Sequence, residues 1–524
     1  MLAIASGVLQ VLVFPNPNLY WLCWIALAPL LVALLRTQQS DAIHLPDEMQ
    51  AQLQPASPVQ GFALGYVAGV IWWAGTCYWV YDTMHLYGGL SAPVALGILV
   101  LFCLYLAIYF GAFGLLIALL AAGDKRSGTR RALFVAPFLW VGLELARAQI
   151  SGFPWDVLGT AQVNNVAMNR IATFTGVYGL SFEIALVNTV FAAAWVVARS
   201  KRKLILIEAI AVALLLQLMA LIRLPAPPAD HTALLVQANI PILQPSQWTP
   251  EYFQGTLHDL VRISVSAAER SSRKPELVIW PESPAPFYMD ELQFQAAVAA
   301  VARGDHAYVI AGSIGGRTAG DTSESNEVYN SAALMSPDGK WSARYDKIHL
   351  VPFGEFVPFK SLLSFAGKLT RGVGEFERGA GREPLQAGTT KLGLFICYES
   401  VFPDEVREFA RNGAQVFVNI SNDGWYGDTG AIGQHFNQAR MRAVESHRWL
   451  LRSTNTGITA AIDPYGQVVA RAPRNLRTTL EAPYRLLTGT TFYTRHGDWF
   501  AYACAIISMG ALLWRFRSPA GMVR

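Results

Sequence analysis

The chain has 524 residues; 53% are hydrophobic, only 15% are charged, 15 are tryptophan, and the mean hydropathy is +0.30. A net charge of +4, with no Lys/Arg block interleaved with aromatics, excludes a nucleic-acid binder, and the composition points to a membrane bundle carrying a soluble domain. Five cysteines without regular spacing exclude a disulfide framework and a zinc site.

Hydrophobicity divides the chain. Residues 1–222 are a succession of apolar stretches, 223–498 read as soluble protein, and 499–514 are apolar again. The stretches fall at 1–13, 19–35, 61–80, 93–122, 133–149, 177–198, 204–222 and 499–514, which predicts about eight membrane helices. The first is short for a span and lacks a basic region before it, so it reads as a start-site choice or truncation, not a cleaved signal. Cys23, Cys77, Cys103 and Cys504 lie in these stretches, leaving Cys397 as the thiol outside the membrane.

Basic residues orient the spans. Lys125, Arg126, Arg130 and Arg131, then Arg199, Lys201, Arg202 and Lys203, then Arg515, Arg517 and Arg524 fall on one side, which the positive-inside rule makes cytoplasmic. The loop at 81–92 has no Lys or Arg, and 150–176 has only Arg170. With eight spans, the soluble domain lies outside the cytoplasm. Glu144 and Arg147, three apart, predict an ion pair on one helix face, favoured over a substrate contact. Asp82, His85, Trp155 and Asp156 fall in outward loops that could border a lipid headgroup, while Trp72, Trp73, Trp79 and Trp155 suit an aromatic belt.

The expected domains are 1–222 (seven membrane helices), 223–230 (linker), 231–487 (soluble domain), 488–498 (linker) and 499–524 (final helix and tail). In the soluble part, strands are predicted at 233–237, 276–280, 308–312, 391–397 and 415–420, with helices at 250–270, 290–303, from Pro403, and at 431–448. Asp338-Gly339 predicts a hairpin turn, and Asp463-Pro-Tyr-Gly466 a second strand pair. Gly312-Ser-Ile-Gly-Gly-Arg317 lacks the lysine of a phosphate-binding loop and reads as a loop; nothing calls for ATP or CoA. Alternation of strands and helices gives an α/β layered domain of about 250 residues.

Three polar residues follow strands where a cleft would form. Glu282 lies between prolines that hold its backbone, Lys347 stands in an apolar run, and Cys397 ends a strand ahead of a helix N-terminus whose partial positive charge favours thiolate. Each alone is more often structural. Together they supply a base, a cation for a developing oxyanion and a nucleophile, the set that thiol acyl transfer requires.

Trp280-Pro-Glu-Ser, Tyr345-Asp-Lys-Ile-His-Leu-Val-Pro-Phe-Gly-Glu355 and Ile396-Cys-Tyr-Glu-Ser-Val-Phe-Pro403 resemble the three motifs of the nitrilase (carbon–nitrogen hydrolase) superfamily. Set between membrane spans, they resemble most the apolipoprotein N-acyltransferase family, over residues 1 to 516. The resemblance implies an αββα sandwich on an eight-helix base in a bacterial inner membrane, catalytic domain toward the periplasm. It implies that Cys397 takes an acyl chain from a phospholipid as a thioester, with Glu282 as general base and Lys347 on the oxyanion. The acceptor would be the N-terminal amine of a diacylglyceryl-modified apolipoprotein. Glu355 and Glu399 would orient Lys347 and the amine, with hydrogen bonding within the domain as the plainer role. Tyr398 would offer its main-chain N–H, Trp425 and Trp248 match family aromatic positions near the cleft mouth, and Asn330, in Tyr-Asn-Ser, is a further candidate whose triplet could equally begin a strand. The expected protein is a monomer in the bilayer without cofactor or metal. A membrane-anchored amidase using the same residues with water, and a scaffold that has lost catalysis, are the other readings. His349, His435 and His447 lack metal-like spacing and read as structural. Apolar and basic residues alternate across 359–382, which reads equally as an amphipathic arm dipping into the lipid interface or as a docked loop.

Overall fold

The structure, a computed structural model, describes residues 1–36, 54–122, 125–196, 202–225, 227–243, 245–283, 285–316, 327–352, 354–356 and 376–517. They form two compact units: Met1–Tyr81, Pro93–Arg223 and Asp498–Arg524 make one, while Asp82–Ala92 and Leu224–Gly497 make the other.

In the first unit every apolar stretch is helical, but not every helix is long enough to cross a membrane. Ala92–Ala121, Ser127–Ser151, Val177–Val196, Arg202–Leu221 and Trp499–Arg517 qualify singly. A sixth arises if Pro58–Thr76 and Trp79–Tyr87, bent by 52°, count as one span. The first two stretches give the shorter helices Leu2–Val13 and Tyr20–Leu35. By length and composition the expected eight therefore become five or six among the described residues. Pro15 and Pro17 follow Val13 and deny the chain further helical donors. The second stretch breaks between Cys23–Ala26 and Ala28–Leu35. Asn188 mends that break: its Oδ1 accepts from Leu27 N (2.8 Å) and Ala28 N (2.9 Å), and its Nδ2 donates to Cys23 O (2.7 Å). An apolar surrounding offers no water to do this, so a side chain must.

The expected Glu144–Arg147 ion pair is replaced by bonds to main chain. Glu144 Oε1 accepts from Leu158 N (2.8 Å) and Trp140 Nε1 (3.1 Å); Arg147 Nη1 donates to the carbonyls of Phe153 and Trp155, both at 2.7 Å. The irregular backbone after the helix has unpaired groups to satisfy, and both side chains are claimed by it.

The second unit is a four-layer αββα sandwich. In chain order its strands are β1 (His231–Gln237), β2 (Leu277–Ile279), β3 (Tyr308–Gly315), β4 (Tyr329–Met335), β5 (Trp341–Asp346), β6 (Leu385–Ala387), β7 (Thr390–Ile396), β8 (Val416–Ser421), β9 (Leu450–Thr454), β10 (Ala460–Ile462), β11 (Val468–Arg471) and β12 (Thr478–Tyr484). One sheet runs β12-β1-β2-β3-β4-β5 and the other β11-β10-β9-β8-β7-β6. Within them β1, β2 and β3 are parallel, as are β7, β8 and β9.

Helices Pro250–Arg270 and Leu292–Asp305 cover the first sheet, burying Leu257, Leu260, Phe294 and Val298 against Leu234, Val236, Val278 and Val309. Thr249 starts the first of these helices, its hydroxyl accepting from Tyr252 N at 3.2 Å with Pro250 at the first helical position. Pro403–Arg411 and Ala431–Ser446 belong to the second sheet. The sheets meet at β1 and β9, where Ser453 Oγ lies 2.8 Å from Val236 O and 2.9 Å from Ile279 O.

The hairpin through Asp338-Gly339 and the strand pair through Asp463–Gly466 form as expected. The glycine-rich run at 312 does not form a loop. Gly312 to Gly315 continue β3, paired with Tyr329 to Ala332 of β4. A glycine is needed at 312 because the chain after β2 crosses it closely: a Cβ there would overlap Pro281 O and lie 2.7 Å from Glu282 Cα.

Candidate active site

The site is assembled from strand ends of both sheets. Glu282 follows β2, Asn330 lies in β4, Lys347 follows β5, and Cys397 follows β7. Glu282, Asn330, Lys347, Glu355 and Cys397 are all buried. Lys347 Nζ donates to Glu355 Oε1 at 2.8 Å and to Glu282 Oε1 at 3.4 Å. Asn330 Nδ2 bridges the same two oxygens, at 2.8 Å from Glu282 and 2.6 Å from Glu355. The second oxygen of each carboxylate takes a main-chain donor: Asn422 N reaches Glu282 Oε2 at 2.7 Å, and Val351 N reaches Glu355 Oε2 at 2.8 Å. Two acids, one ammonium and one amide are thus joined in one hydrogen-bonded cluster.

Electrostatics follow from that packing. Burial on its own would lower the Lys347 pKa, but the charges of Glu355, Glu282 and Cys397 outweigh it and hold the ammonium above its ordinary value. Cys397 moves the other way. Burial, then the Glu282 carboxylate, push its thiol well up, opposed by Lys347 and by a hydrogen bond with Ser421. The pull toward thiolate expected from a nearby helix N-terminus is opposed by burial, which is the larger effect. Cys397 also has φ +51°, a left-handed conformation unusual for a residue with a side chain, and leads into the 3₁₀ turn Cys397–Val401.

Glu399 lies within this turn and is almost wholly buried. Its Oε1 accepts from Tyr345 Oη (2.8 Å), Ile348 N (2.8 Å) and His349 N (3.1 Å), and its Oε2 from Ile396 N (2.7 Å). One side chain therefore ties the segment bearing Lys347 to the segment bearing Cys397. Burial raises its pKa, with the Ile396 and Ile348 N–H groups, Lys347 and the His349 N–H pulling it back.

The aromatic candidates lie elsewhere. Tyr398 packs its ring on Phe402 and His349 (centroids 5.2 and 5.8 Å). Trp248 packs on Tyr252 and Phe287 at the edge of the core under the first sheet's helices. Trp425 is exposed by 39%. It is braced by the separate segment 82–92: Thr83 Oγ1 donates to its carbonyl at 3.0 Å, and Tyr87 meets its ring edge-on at 6.0 Å. Most of the 359–382 stretch lies outside the described residues. In its described end, Phe376 N donates to Glu355 O (3.0 Å) and Gly379 N to Lys347 O (2.9 Å).

Sequence reasoning read His435 as structural and did not join it to a second buried group. Cys397, Asp423 and His435 each present a ligand-type atom within 4.8 Å of one another, but both ring nitrogens of His435 and both oxygens of Asp423 already have protein partners. The cluster is closed to an ion as it stands. Its members are far apart in the chain, and no spacing rule marks them.

Comparison with known proteins gives the lineage. The carbon–nitrogen hydrolase family model matches residues 233–488, and the model of the apolipoprotein N-acyltransferase N-terminal domain matches 6–190. The chain is 36% identical to the apolipoprotein N-acyltransferase of Geobacter metallireducens over 96% of this chain and 92% of that one. It is 33% identical to the same-named protein of Methylococcus capsulatus over 89% and 90%. A solved carbon–nitrogen hydrolase from Helicobacter pylori aligns with a TM-score of 0.35 and 19% identity, covering 48% of this chain and 88% of that one. With both family models matched in order and relatives aligned across nearly its whole length, this chain belongs to the apolipoprotein N-acyltransferase family.

Proposed function

We propose that Cys397 takes an acyl chain from a membrane phospholipid as a thioester and passes it to the N-terminal amine of a diacylglyceryl-cysteine on an apolipoprotein. The observation that carries this reading is that Glu282 and Lys347, 3.4 Å apart, are buried together with Cys397 where strands of the two packed sheets end. A thiol held in its protonated form needs a base, and Glu282 is the carboxylate that acts most strongly on it. The proton moves from sulfur to Glu282 as sulfur attacks the acyl ester carbonyl. Lys347, kept charged, faces the oxyanion, and the proton returns to the departing lysophospholipid alkoxide. In the second half Glu282 takes a proton from the attacking amine, and the thiol is restored. Glu355 and Asn330 are positioning residues that keep Lys347 and Glu282 apart by a fixed distance.

The protein acts as a monomer in a bacterial inner membrane with this domain on the periplasmic side, an orientation supported by the basic residues of the opposite loops. The test is mass spectrometry of the Cys397 peptide after the purified protein meets phospholipid alone. An added acyl mass, removed by hydroxylamine and missing in Cys397→Ala, is expected; equal labelling in Cys397→Ala would falsify the assignment.

Gly312 gives a second check. Gly312→Ala places a methyl group against Pro281 O and Glu282 Cα, so the loop must move by a sizeable fraction of an ångström. Acylation in a single turnover should fall by roughly 10²-fold, the usual consequence of misplacing a reacting group by about 1 Å. A rate within three-fold of the parent, on the order of 0.7 kcal/mol, would show that the Glu282 position is not critical.

A further inference from the structure

Behind Cys397 lies the buried group that none of these steps uses. His435 is on the Ala431–Ser446 helix, Asp423 follows β8, and Arg452 is in β9; all three are fully buried. His435 Nε2 is 3.0 Å from the Cys397 carbonyl oxygen and 2.8 Å from Ser400 Oγ. A carbonyl oxygen only accepts, so Nε2 carries the hydrogen that reaches Cys397, and the Ser400 hydroxyl adapts. Nδ1 faces Asp423 Oδ1 at 2.9 Å and Arg452 Nη2 at 3.1 Å. Arg452 also donates to Asp423 Oδ2 at 2.9 Å and to Asn419 Oδ1. Ser421 Oγ lies 2.6 Å from Asp423 Oδ1 and also hydrogen-bonds the Cys397 sulfur, so its single hydrogen serves one of the two at a time.

Two ends of one residue are therefore tied to one carboxylate: the Cys397 carbonyl through His435 and its sulfur through Ser421. The packing leaves room for this anchor only because residue 457 is glycine; a Cβ there would overlap Asp423 Oδ2. Burial of an acid, an arginine and a histidine adds little stability compared with an apolar filling. A left-handed backbone at a cysteine, by contrast, is unfavourable and persists only where its surroundings hold it. Holding Cys397 in that conformation is the task the network is shaped for.

We propose that Asp423 anchors a positioning network in which His435 fixes the Cys397 main chain and Ser421 fixes its sulfur, so that the nucleophile is aimed before substrate arrives. This rests on Cys397 being the nucleophile. The experiment is single-turnover acylation of the full-length protein in detergent by a phospholipid with a radiolabelled acyl chain. His435→Leu, which has no donor, should acylate roughly 10- to 100-fold more slowly with the half-saturating phospholipid concentration unchanged. His435→Gln, whose amide nitrogen can reach the Nε2 position and donate to Cys397 O, should recover most of that loss. Ser421→Ala, a smaller change that keeps the proposal testable should His435→Leu not fold, should slow acylation about ten-fold. Wild-type rates in Ser421→Ala and His435→Leu would overturn the network. So would equal losses in His435→Leu and His435→Gln accompanied by equal falls in thermal stability, since that is the behaviour of plain packing. Cys397→Ala run alongside separates the two ideas: if it still labels, the nucleophile assignment fails; if it does not while the network variants label normally, only the network fails.

Discussion

Lys347→Met should slow acylation of Cys397 by roughly 10³-fold or more while leaving a folded but weakened domain. Removing one donor to a developing oxyanion commonly costs 10²–10³-fold, about 2.7–4 kcal/mol. Here the lost donor also carries a full charge at a buried position, where Coulomb interactions are screened less than at the surface. Methionine fills the space of the lysine stem, so packing changes little. What changes is the balance of the cluster. Glu282 and Glu355 would stay buried on either side of Asn330, their oxygens 2.8 and 2.6 Å from its amide, with the ammonium gone. An uncompensated buried charge of this kind costs about 3–5 kcal/mol. Label incorporation and thermal unfolding measure the two effects separately. Acylation within ten-fold of the parent would mean that Lys347 balances the acids without touching the reacting carbonyl.

Glu399→Gln should destabilise the domain by about 3 kcal/mol and slow acylation, although it alters a single atom. All four groups that meet Glu399 donate: Tyr345 Oη, Ile348 N and His349 N at one oxygen, Ile396 N at the other. An amide oxygen can serve one side only. The NH₂ on the other side then meets a donor head-on, at 2.7 Å if it faces Ile396, leaving two buried groups unpaired. Because the side chain joins the Lys347 segment to the Cys397 turn, relief of that clash moves one relative to the other. Denaturation of detergent-solubilised protein reads the first effect, and single-turnover labelling the second. An unchanged unfolding midpoint would mean the pocket tolerates an amide, against the geometry described.

Much of the site could be read from the chain because its chemistry stands at strand ends. Glu282, Lys347 and Cys397 each follow an apolar run, and an acid, a lysine or a thiol in that setting invites explanation. Asn330 was visible only through Tyr-Asn-Ser, which equally begins a strand; it does begin β4, and its amide also bridges two carboxylates. His435, Asp423 and Arg452 were not legible. They come from a helix, a turn and a strand, and what unites them is their packing behind Cys397, which no local periodicity encodes. The errors share a cause as well. Gly312–Gly315 resembled a loop since glycine weakens strands, yet a neighbouring chain passing close by requires it. Glu144 and Arg147 had pair spacing, but backbone left unpaired in the following loop claimed both. The first apolar stretch is helical as expected but short, because Pro15 and Pro17 end it, which composition does not register.

The assignment of Asp82–Ala92 to the same compact unit as Leu224–Gly497 bears on how that unit can be prepared. A fragment expressed as 224–497 alone would be missing a piece inserted from elsewhere in the gene, stripping Trp425 of Thr83's hydroxyl and Tyr87's ring. A water-soluble version for crystallography or screening would have to graft those eleven residues back on, or mask the patch they leave bare.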